Sequence, residues 1–172
     1  MFLITQRTKI ELLAKDDLEV VRLLHNEKSI LSQLSDSTYV TPRMQLDWYE
    51  KLLTSSKSYR YVCKKLSEVE GDLIGVFRVD CFDLANKSAQ IGLDIAPTHR
   101  RMGYAFEIYT AFINYFFVNQ KLHRLYLCTL ETNLAAQSLY RKLNFQLEGT
   151  QKDAIYRDGK FHNLLNYSLI AE

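Results

Sequence analysis

IGLDIAPTHRRMGYA, residues 91–105, combines the end of a strand, a basic turn and the start of a helix. Apolar residues alternate with polar or small ones over its first five positions, as in a strand with one buried face. Pro97 lacks a backbone donor and ends the strand. Arg100 and Arg101 place positive charge in the turn, and Gly103 leaves room for a ligand beside the backbone. Because the first amides of a helix lack internal partners and favour anions, this turn is predicted to bind a diphosphate.

The turn has the pattern Arg100-x-x-Gly103-x-Ala105. The dinucleotide-binding fingerprint needs three glycines after the first strand, and the nucleotide P-loop needs Gly-Lys-Ser/Thr, so neither motif fits. The pattern resembles the Gln/Arg-x-x-Gly-x-Gly/Ala signature of the GNAT superfamily of N-acetyltransferases, in which successive amides hold the pyrophosphate of acetyl-CoA. The resemblance implies that this co-substrate is bound by Arg100, Arg101, Met102, Gly103, Tyr104 and Ala105.

A second motif occupies residues 133–145, which read NLAAQSLYRKLNF. It resembles the acetyltransferase pattern Asn-x-x-Ala-x-x-Leu-Tyr-x-x-x-Gly-Phe. The resemblance implies that Asn133 contacts the arm of the cofactor and that Tyr140 protonates the leaving thiolate. From the residues alone, Asn133 also suits a helix N-cap, and Tyr140 also suits core packing. Asn144 stands where the family usually has Gly, and both residue types tolerate a left-handed helix C-cap.

Length and composition predict a single globular domain over residues 1–172. Hydrophobic residues make up 47% of the chain and charged residues 24%, which is typical of a folded protein and not of a disordered one. A net charge of +2 gives no general reason to expect nucleic acid or an anionic membrane as a partner. Neither a signal peptide nor an apolar run of about 20 residues is visible, so we expect a cytoplasmic protein.

The chain has three cysteines, Cys63, Cys81 and Cys128. Cys63 and Cys128 lie in apolar, strand-like runs, where buried and inert thiols are expected. An odd number of cysteines without paired spacing argues against a disulfide framework and against a zinc site. We therefore expect neither disulfides nor a bound metal.

Hydrophobic periodicity and turn residues predict an α/β fold, a mixed, mostly antiparallel sheet with helices on both faces. Predicted strands cover residues 9–13, 59–66, 73–79, 88–95, 122–129, 145–154 and 160–170, with a turn over 67–72. Predicted helices run from a cap at Asp16 and Asp17 to residue 24, from Pro42 to residue 53, over 103–118 and over 134–143. The unit over 88–129 should be a right-handed crossover joining two parallel strands, with a ligand at their adjoining ends.

The resemblance covers essentially the whole chain. Its start, residues 8–19, and its end, residues 147–161, resemble the RimJ/RimL-like branch, which acetylates N-terminal amines of ribosomal proteins and has close relatives acting on nucleotide-linked amino sugars or polyamines. This implies a GNAT fold and an N-acetyltransferase that moves an acetyl group from acetyl-CoA to such a small-molecule or peptide amine by direct attack on the thioester. A non-catalytic acyl-CoA-binding or protein-interaction module is the alternative, because relatives often carry Glu where this chain has Gln90.

Attack of an amine on a thioester needs a stabilised oxyanion, a proton acceptor and a proton for the departing sulfur. Backbone amides from Leu93 to Ile95 are expected to polarise the carbonyl where the two parallel strands splay apart, often at a bulge. Gln90 cannot accept the proton at neutral pH. Asp94 lies on the same predicted strand face and is the candidate base, directly or through water, while a cap near Pro97 is the alternative interpretation.

Other polar and aromatic residues also allow both a structural and a functional interpretation. Glu131 and His123 fit solvated positions as well as a role in the site, and His162 lies in the last hairpin, where relatives often bind substrate. Trp48 and Tyr49 fit a core-facing helix better than a binding platform. The acidic residues of the early chain are expected to form a solvated helix face, and their charge would help to recruit the substrate if it were a polyamine: Asp16, Asp17, Glu19 and Glu27. The exposed edge of the last hairpin is where a homodimer would pair.

Overall fold

The computed structural model describes residues 2–66 and 72–172, which form one sheet flanked by helices. The described strands are β1 (Phe2–Ile4), β2 (Thr8–Leu12), β3 (Tyr59–Lys65), β4 (Leu73–Asp83), β5 (Ser88–Ile95), β6 (Arg124–Leu130), β7 (Gln146–Arg157) and β8 (Lys160–Ile170). The described α-helices are α1 (Leu18–His25), α2 (Lys28–Leu31), α3 (Pro42–Leu53), α4 (Tyr104–Asn114) and α5 (Leu134–Lys142).

The sheet has the strand order β1-β2-β3-β4-β5-β6-β8-β7. Neighbouring strands are antiparallel except for β5 and β6, which are parallel and joined through α4. A parallel pair needs a long crossover connection, which the helix supplies. The predicted mostly antiparallel sheet with one parallel crossover is therefore confirmed.

Helices cover both faces of the sheet, because alternate residues of the central strands are buried against different helices. On β3, Val62 is fully buried in a cluster with residues of α1, whereas Tyr61 and Cys63 join the cluster that contains α4. In that second cluster the rings of Phe77 and Phe112 stack with their centroids 3.7 Å apart. The predicted placement of helices on both faces is confirmed.

Several predicted element boundaries were wrong. β1 was not predicted, and α2 lies in a stretch that was expected to be irregular. The helix predicted over 103–118 is α-helical only to Asn114, and a wider, π-helical turn continues to Asn119. Asp17 is the N-cap residue of α1, as expected, but its side chain makes no bond to the helix, because its carboxylate accepts from the Ala14 amide and pairs with Lys64. Apart from its last residue, the turn predicted over 67–72 lies outside the described residues.

No helix in the described part of the chain is both long enough and apolar enough to cross a membrane. The described residues likewise contain no group of three or more His, Cys, Asp or Glu side chains placed to hold a metal ion.

Candidate active site

The two parallel strands separate after a short paired stretch. β5 pairs with β6 only over residues 88–90, opposite residues 124–126. Beyond that point β5 stays paired with β4 as far as Ile95, while β6 stays paired with β8. The split between them opens into a cavity of about 250 Å³, which we call the central cavity. On the other side of β5, the register with β4 shifts between Asp80 and Asp83.

The direction of the β5 amides follows from its pairing with β4. The amide of Ala96, just after β5, donates to the carbonyl of Ile74 near the start of β4, at 2.8 Å. Because alternate residues of an antiparallel strand bond to the same neighbour, the backbone of Asp94 also faces β4. The amides of Leu93 and Ile95 therefore face the split, as a group that stabilises a developing oxyanion must.

A second cavity of about 450 Å³, the cofactor cavity, lies beside the turn that follows β5. Gly103 is the N-cap of α4, with a φ of 85° in the left-handed region that favours glycine. Met102 is 55% exposed and does not line the cavity. The other predicted cofactor-turn residues line it: Arg100, Arg101, Gly103, Tyr104 and Ala105. Two guanidinium groups beside a helix start fit a diphosphate.

The turn is held by a contact that the sequence did not reveal. The amide and Nε of Arg7 donate to the carboxylate of Glu107, at 2.9 and 2.7 Å, in the first turn of α4. Nη1 of Arg7 donates to the carbonyl of Met102 at 2.9 Å, and its guanidinium lies 4.4 Å from the centre of the Tyr104 ring. These residues lie about a hundred positions apart in sequence, so no local pattern could have indicated the contact.

Helix α5 presents the second motif to the same cavities. The side chain of Asn133 accepts a hydrogen bond from the amide of Ala136 at 3.1 Å, so this residue is an N-cap, and it also lines both cavities. Asn144 has a φ of 65°. The amides of Asn144 and Phe145 donate to carbonyls of the last helical turn at 3.1 and 2.9 Å, forming a Schellman C-cap. Asn therefore serves where the family usually has Gly.

Tyr140 lies at the wall shared by the central and cofactor cavities and is 8% exposed. The rings of Tyr109, Phe145 and Tyr167 surround it, with centroids 6.1, 6.0 and 5.5 Å away. Burial raises the pKa of Tyr140 to about 12, with the Tyr109 hydroxyl and the charge of Arg78 acting in the opposite direction. The phenol therefore keeps its proton at neutral pH and can donate it.

Tyr109 places a second buried hydroxyl beside the cofactor cavity. The residue is 1% exposed, and its oxygen has no hydrogen-bond partner among the described residues. Burial, followed by the proximity of Tyr140, raises the pKa of Tyr109 well above its usual value. The Tyr109 hydroxyl therefore stays protonated beside Tyr140.

Asp94 lines the central cavity, the cofactor cavity and a third one of about 330 Å³ between α1, α3 and the sheet. Its Oδ1 lies 3.5 Å from Nη2 of Arg78, and its side chain is 19% exposed. Among the described residues its carboxylate makes no cap near Pro97, the alternative weighed from the sequence. Asp94 is thus placed to meet groups that enter from different sides.

The third cavity, which we call the acceptor cavity, shares Asp94 with the cofactor cavity but is lined by none of the cofactor-turn residues. Trp48 lines it while packing against the α1–α3 core with Tyr49, so the expected core packing holds for both. The guanidinium of Arg60 lies 5.8 Å from the centre of the Trp48 ring. Nη1 of Arg60 donates to Oδ1 of Asp80 at 2.9 Å, and this carboxylate holds it in place.

Several candidate residues lie outside these cavities. Glu131 accepts from the amide and side chain of Asn163, and the backbone bond chiefly holds its pKa below the usual value. His123 is exposed just before β6, and His162 is buried in β8. None of these three residues lines the central, cofactor or acceptor cavity. Each is better described as a structural residue.

Gln90 and Cys128 both line the central cavity. Nε2 of Gln90 lies 3.8 Å from Sγ of Cys128. Cys128 is half-buried, less than expected, and burial raises the pKa of its thiol, so it stays protonated and is a poor nucleophile. Cys63 is buried, as predicted.

The early acidic residues are engaged in local contacts. Glu19 pairs with Arg22 at 2.7 Å, and Glu27 accepts from the amide and hydroxyl of Ser29 at the start of α2. Asp16 and Asp17, at the turn before α1, also lie away from the acceptor cavity, as do the two glutamates. These carboxylates do not form an acidic wall for that cavity.

Comparison with known proteins agrees with this geometry. The family model described as "Acetyltransferase (GNAT) domain" matches residues 10–164, nearly the whole chain. The chain belongs to this family. Membership confirms the predicted GNAT resemblance and identifies an acetyl-CoA-dependent N-acetyltransferase, in agreement with the basic turn at the start of α4 and the split between β5 and β6.

Among curated proteins, the chain is 24% identical to the spermidine N(1)-acetyltransferase of Vibrio cholerae, over 88% of this chain and 86% of the relative. It is 25% identical to the spermidine N(1)-acetyltransferase of Escherichia coli K12, over 91% and 82%. A crystal structure of the Vibrio cholerae spermidine N-acetyltransferase with CoA and spermine superposes with a TM-score of 0.88 at 23% identity, covering 95% of each chain. At that identity the superposition shows the shared fold.

Proposed function

We propose that this chain transfers the acetyl group of acetyl-CoA to a small primary amine, with Asp94 as general base and Tyr140 as general acid. The proposal rests on the meeting of three cavities at Asp94, two of which Tyr140 also lines. The cofactor cavity carries the basic turn, and the acceptor cavity reaches Asp94 without that turn. A thioester and an amine would thus enter separately and meet beside the same two side chains.

Acetyl-CoA supplies an acetyl group that is activated as a thioester. The arginines of the turn and the amides at the start of α4 bind the diphosphate and so fix the position of the reacting end. The amides of Leu93 and Ile95 stabilise the charge that develops on the carbonyl oxygen. Asp94 accepts the proton of the amine as the carbon–nitrogen bond forms, directly or through water. Tyr140 gives its proton to sulfur as the carbon–sulfur bond breaks.

The relatives named above act on spermidine, which makes a polyamine one acceptor to test. A peptide N-terminus and a nucleotide-linked amino sugar are the other acceptors suggested by the sequence. We also propose that residues 1–172 act as one domain in the cytoplasm. Pairing of two copies would use β7, which lies at one end of the sheet order.

The test is a thiol-release assay with acetyl-CoA and an amine panel, run on wild type and Tyr140→Phe. We expect release with at least one amine, and a fall in kcat of about 100-fold in the variant, the lower end of what a positioned acid contributes. Affinity for acetyl-CoA, measured by calorimetry, should stay within about threefold of wild type, because only the hydroxyl is removed.

Tyr167→Phe is the matched control. Its ring also packs against Tyr140 but lines none of the three cavities, so its activity should stay within about twofold of wild type. Full activity in Tyr140→Phe would disprove the acid assignment. Binding of CoA without thiol release for any amine would favour the non-catalytic module instead.

A further inference from the structure

Arg78 and Asp94 form an ion pair between the central and acceptor cavities, both of which they line. Arg78 on β4 is the register partner of Gly92 on β5. A Cβ at Gly92 would lie 2.9 Å from Nη2 of Arg78. The glycine therefore leaves the space in which the guanidinium lies across β5 toward Asp94.

This ion pair is loose. The atoms are 3.5 Å apart, whereas a strong charge-assisted hydrogen bond is about 2.7–2.9 Å long. A guanidinium has five N–H donors, and Asp94 is the ion-pair partner of Arg78 within the described residues. Arg60, which lines the same acceptor cavity, is committed to Asp80 and to the carbonyls of Tyr59 and Val79. Arg78 is therefore the cation with donors left for a ligand.

The role of Asp94 as base has a consequence for Arg78. When Asp94 takes up a proton, its negative charge is lost and Arg78 is left without its counter-ion. The Arg78 side chain is only 34% exposed, and an unpaired charge in such a position is costly. An acceptor that brings its own negative group would restore the balance as the amine loses its proton.

We propose that the acceptor is a small primary amine that also carries a carboxylate or a phosphate, and that Arg78 binds this anionic group while the amine faces Asp94. The inference rests on the proposed function. An arginine suits both anions, because its planar fork pairs with two oxygens at once. The apolar side chains of Val21, Leu24 and Trp48 line the same cavity and would contact the body of such a molecule.

A polycation is a poorer match for this cavity. Its lining residues include two carboxylates, Asp36 and Asp94, and two guanidinium groups, Arg60, which is paired with Asp80, and Arg78. A polyamine would have to place a second ammonium near one of these guanidinium groups, where like charges repel. The guanidinium groups of the acceptor cavity thus favour a different acceptor from the spermidine in the names of the relatives.

The experiment compares matched acceptors in the thiol-release assay with the full chain. L-leucine is paired with L-leucinamide, glucosamine 6-phosphate with glucosamine, and spermidine is assayed alongside. We expect kcat/KM to be at least 10-fold higher for the anionic member of at least one pair, and to exceed that for spermidine. The leucine and sugar arms distinguish a carboxylate from a phosphate.

Arg78→Gln should reduce that preference to about twofold, mainly by raising the KM of the anionic acceptor more than 10-fold. Arg78→Lys, which keeps the charge without the fork, should retain part of the preference. Arg43→Gln is the matched control, because Arg43 is 85% exposed on α3 and lines none of the three cavities. It should leave the preference unchanged.

The comparison of acceptors with the wild-type chain tests the proposal even if Arg78→Gln fails to fold. The proposal is overturned if neither anionic acceptor is preferred over its neutral partner, if spermidine is the better substrate, or if Arg78→Gln keeps the preference. In each of those cases acetyl transfer itself would still be observed. The absence of thiol release with every amine would instead reject the proposed function.

Discussion

Replacing Glu107 with Gln should loosen the cofactor turn from a distance. The Glu107 carboxylate is 16% exposed and accepts hydrogen bonds from Arg7 and from the hydroxyls of Thr5 and Thr8. Gln keeps the shape but loses the charge, and its NH₂ group would face a donor in place of an acceptor. Arg7 would then hold the Met102 carbonyl less firmly, because Glu107 fixes its guanidinium.

The expected loss of stability follows from these contacts. A net contribution of about 1.5–3 kcal/mol is typical of a hydrogen bond to a charged group, and breaking a buried pair costs about 3–5 kcal/mol. Since Arg7 is 41% exposed, we take the lower range and expect Glu107→Gln to reduce the free energy of unfolding by about 2 kcal/mol. The KM for acetyl-CoA should rise about fivefold, with kcat little changed, since a displaced turn weakens binding before it affects chemistry.

Urea denaturation and steady-state kinetics measure the two effects. Asp47→Asn is the matched control, because Asp47 pairs with Arg43 on α3 and both side chains are exposed, by 46% and 85%. Exposed pairs contribute little, so this variant should lose less than about 0.5 kcal/mol and keep its KM. If Glu107→Gln were as stable as Asp47→Asn, or kept the wild-type KM, the turn would not depend on this contact.

Two further predictions concern pH and backbone packing. Burial alone would raise the pKa of Glu107, but hydrogen bonds from Thr5 and Arg7 outweigh it and lower the pKa below its usual value. The ionised Glu107 side chain therefore stabilises the fold fully above its unfolded pKa of about 4.3, and this stabilisation is lost as pH falls through the lower folded pKa. The difference in free energy of unfolding between wild type and Glu107→Gln, measured by urea denaturation, should therefore shrink below about pH 4. A difference that stays constant with pH would contradict this. Gly75→Ala should reduce the free energy of unfolding by about 3 kcal/mol and lower kcat, because the new Cβ would lie 2.2 Å from the backbone carbonyl of Asp94. Gly149→Ala is the control: its Cβ would have nothing within 4 Å, so the free energy of unfolding should change by less than about 0.5 kcal/mol. Equal melting curves for the two glycine variants would refute the packing argument.

The parts of the site that depend on a few consecutive residues follow from local sequence. Pro97 ends β5, Gly103 takes the left-handed conformation at the start of α4, and Asn144 does the same after α5. These outcomes follow from backbone sterics and capping, which act within one turn of chain. The two motifs could therefore be placed in the fold before any tertiary contact was known, while Tyr140 was suggested by the family resemblance alone.

Which distant groups meet in the site depends on how the whole chain packs. Arg7 reaches Glu107 across about a hundred positions, and Arg78 lies opposite Gly92 because of the register between β4 and β5. A shift of one residue in that register would turn Arg78 to the other face of the sheet, and no local signal in the sequence fixes it. The acceptor cavity depends on the same pairing, since its walls come from α1, α3 and the sheet. Local rules thus set the backbone conformation of the cofactor turn, whereas long-range packing fixed that turn in place and set the charges that an acceptor meets.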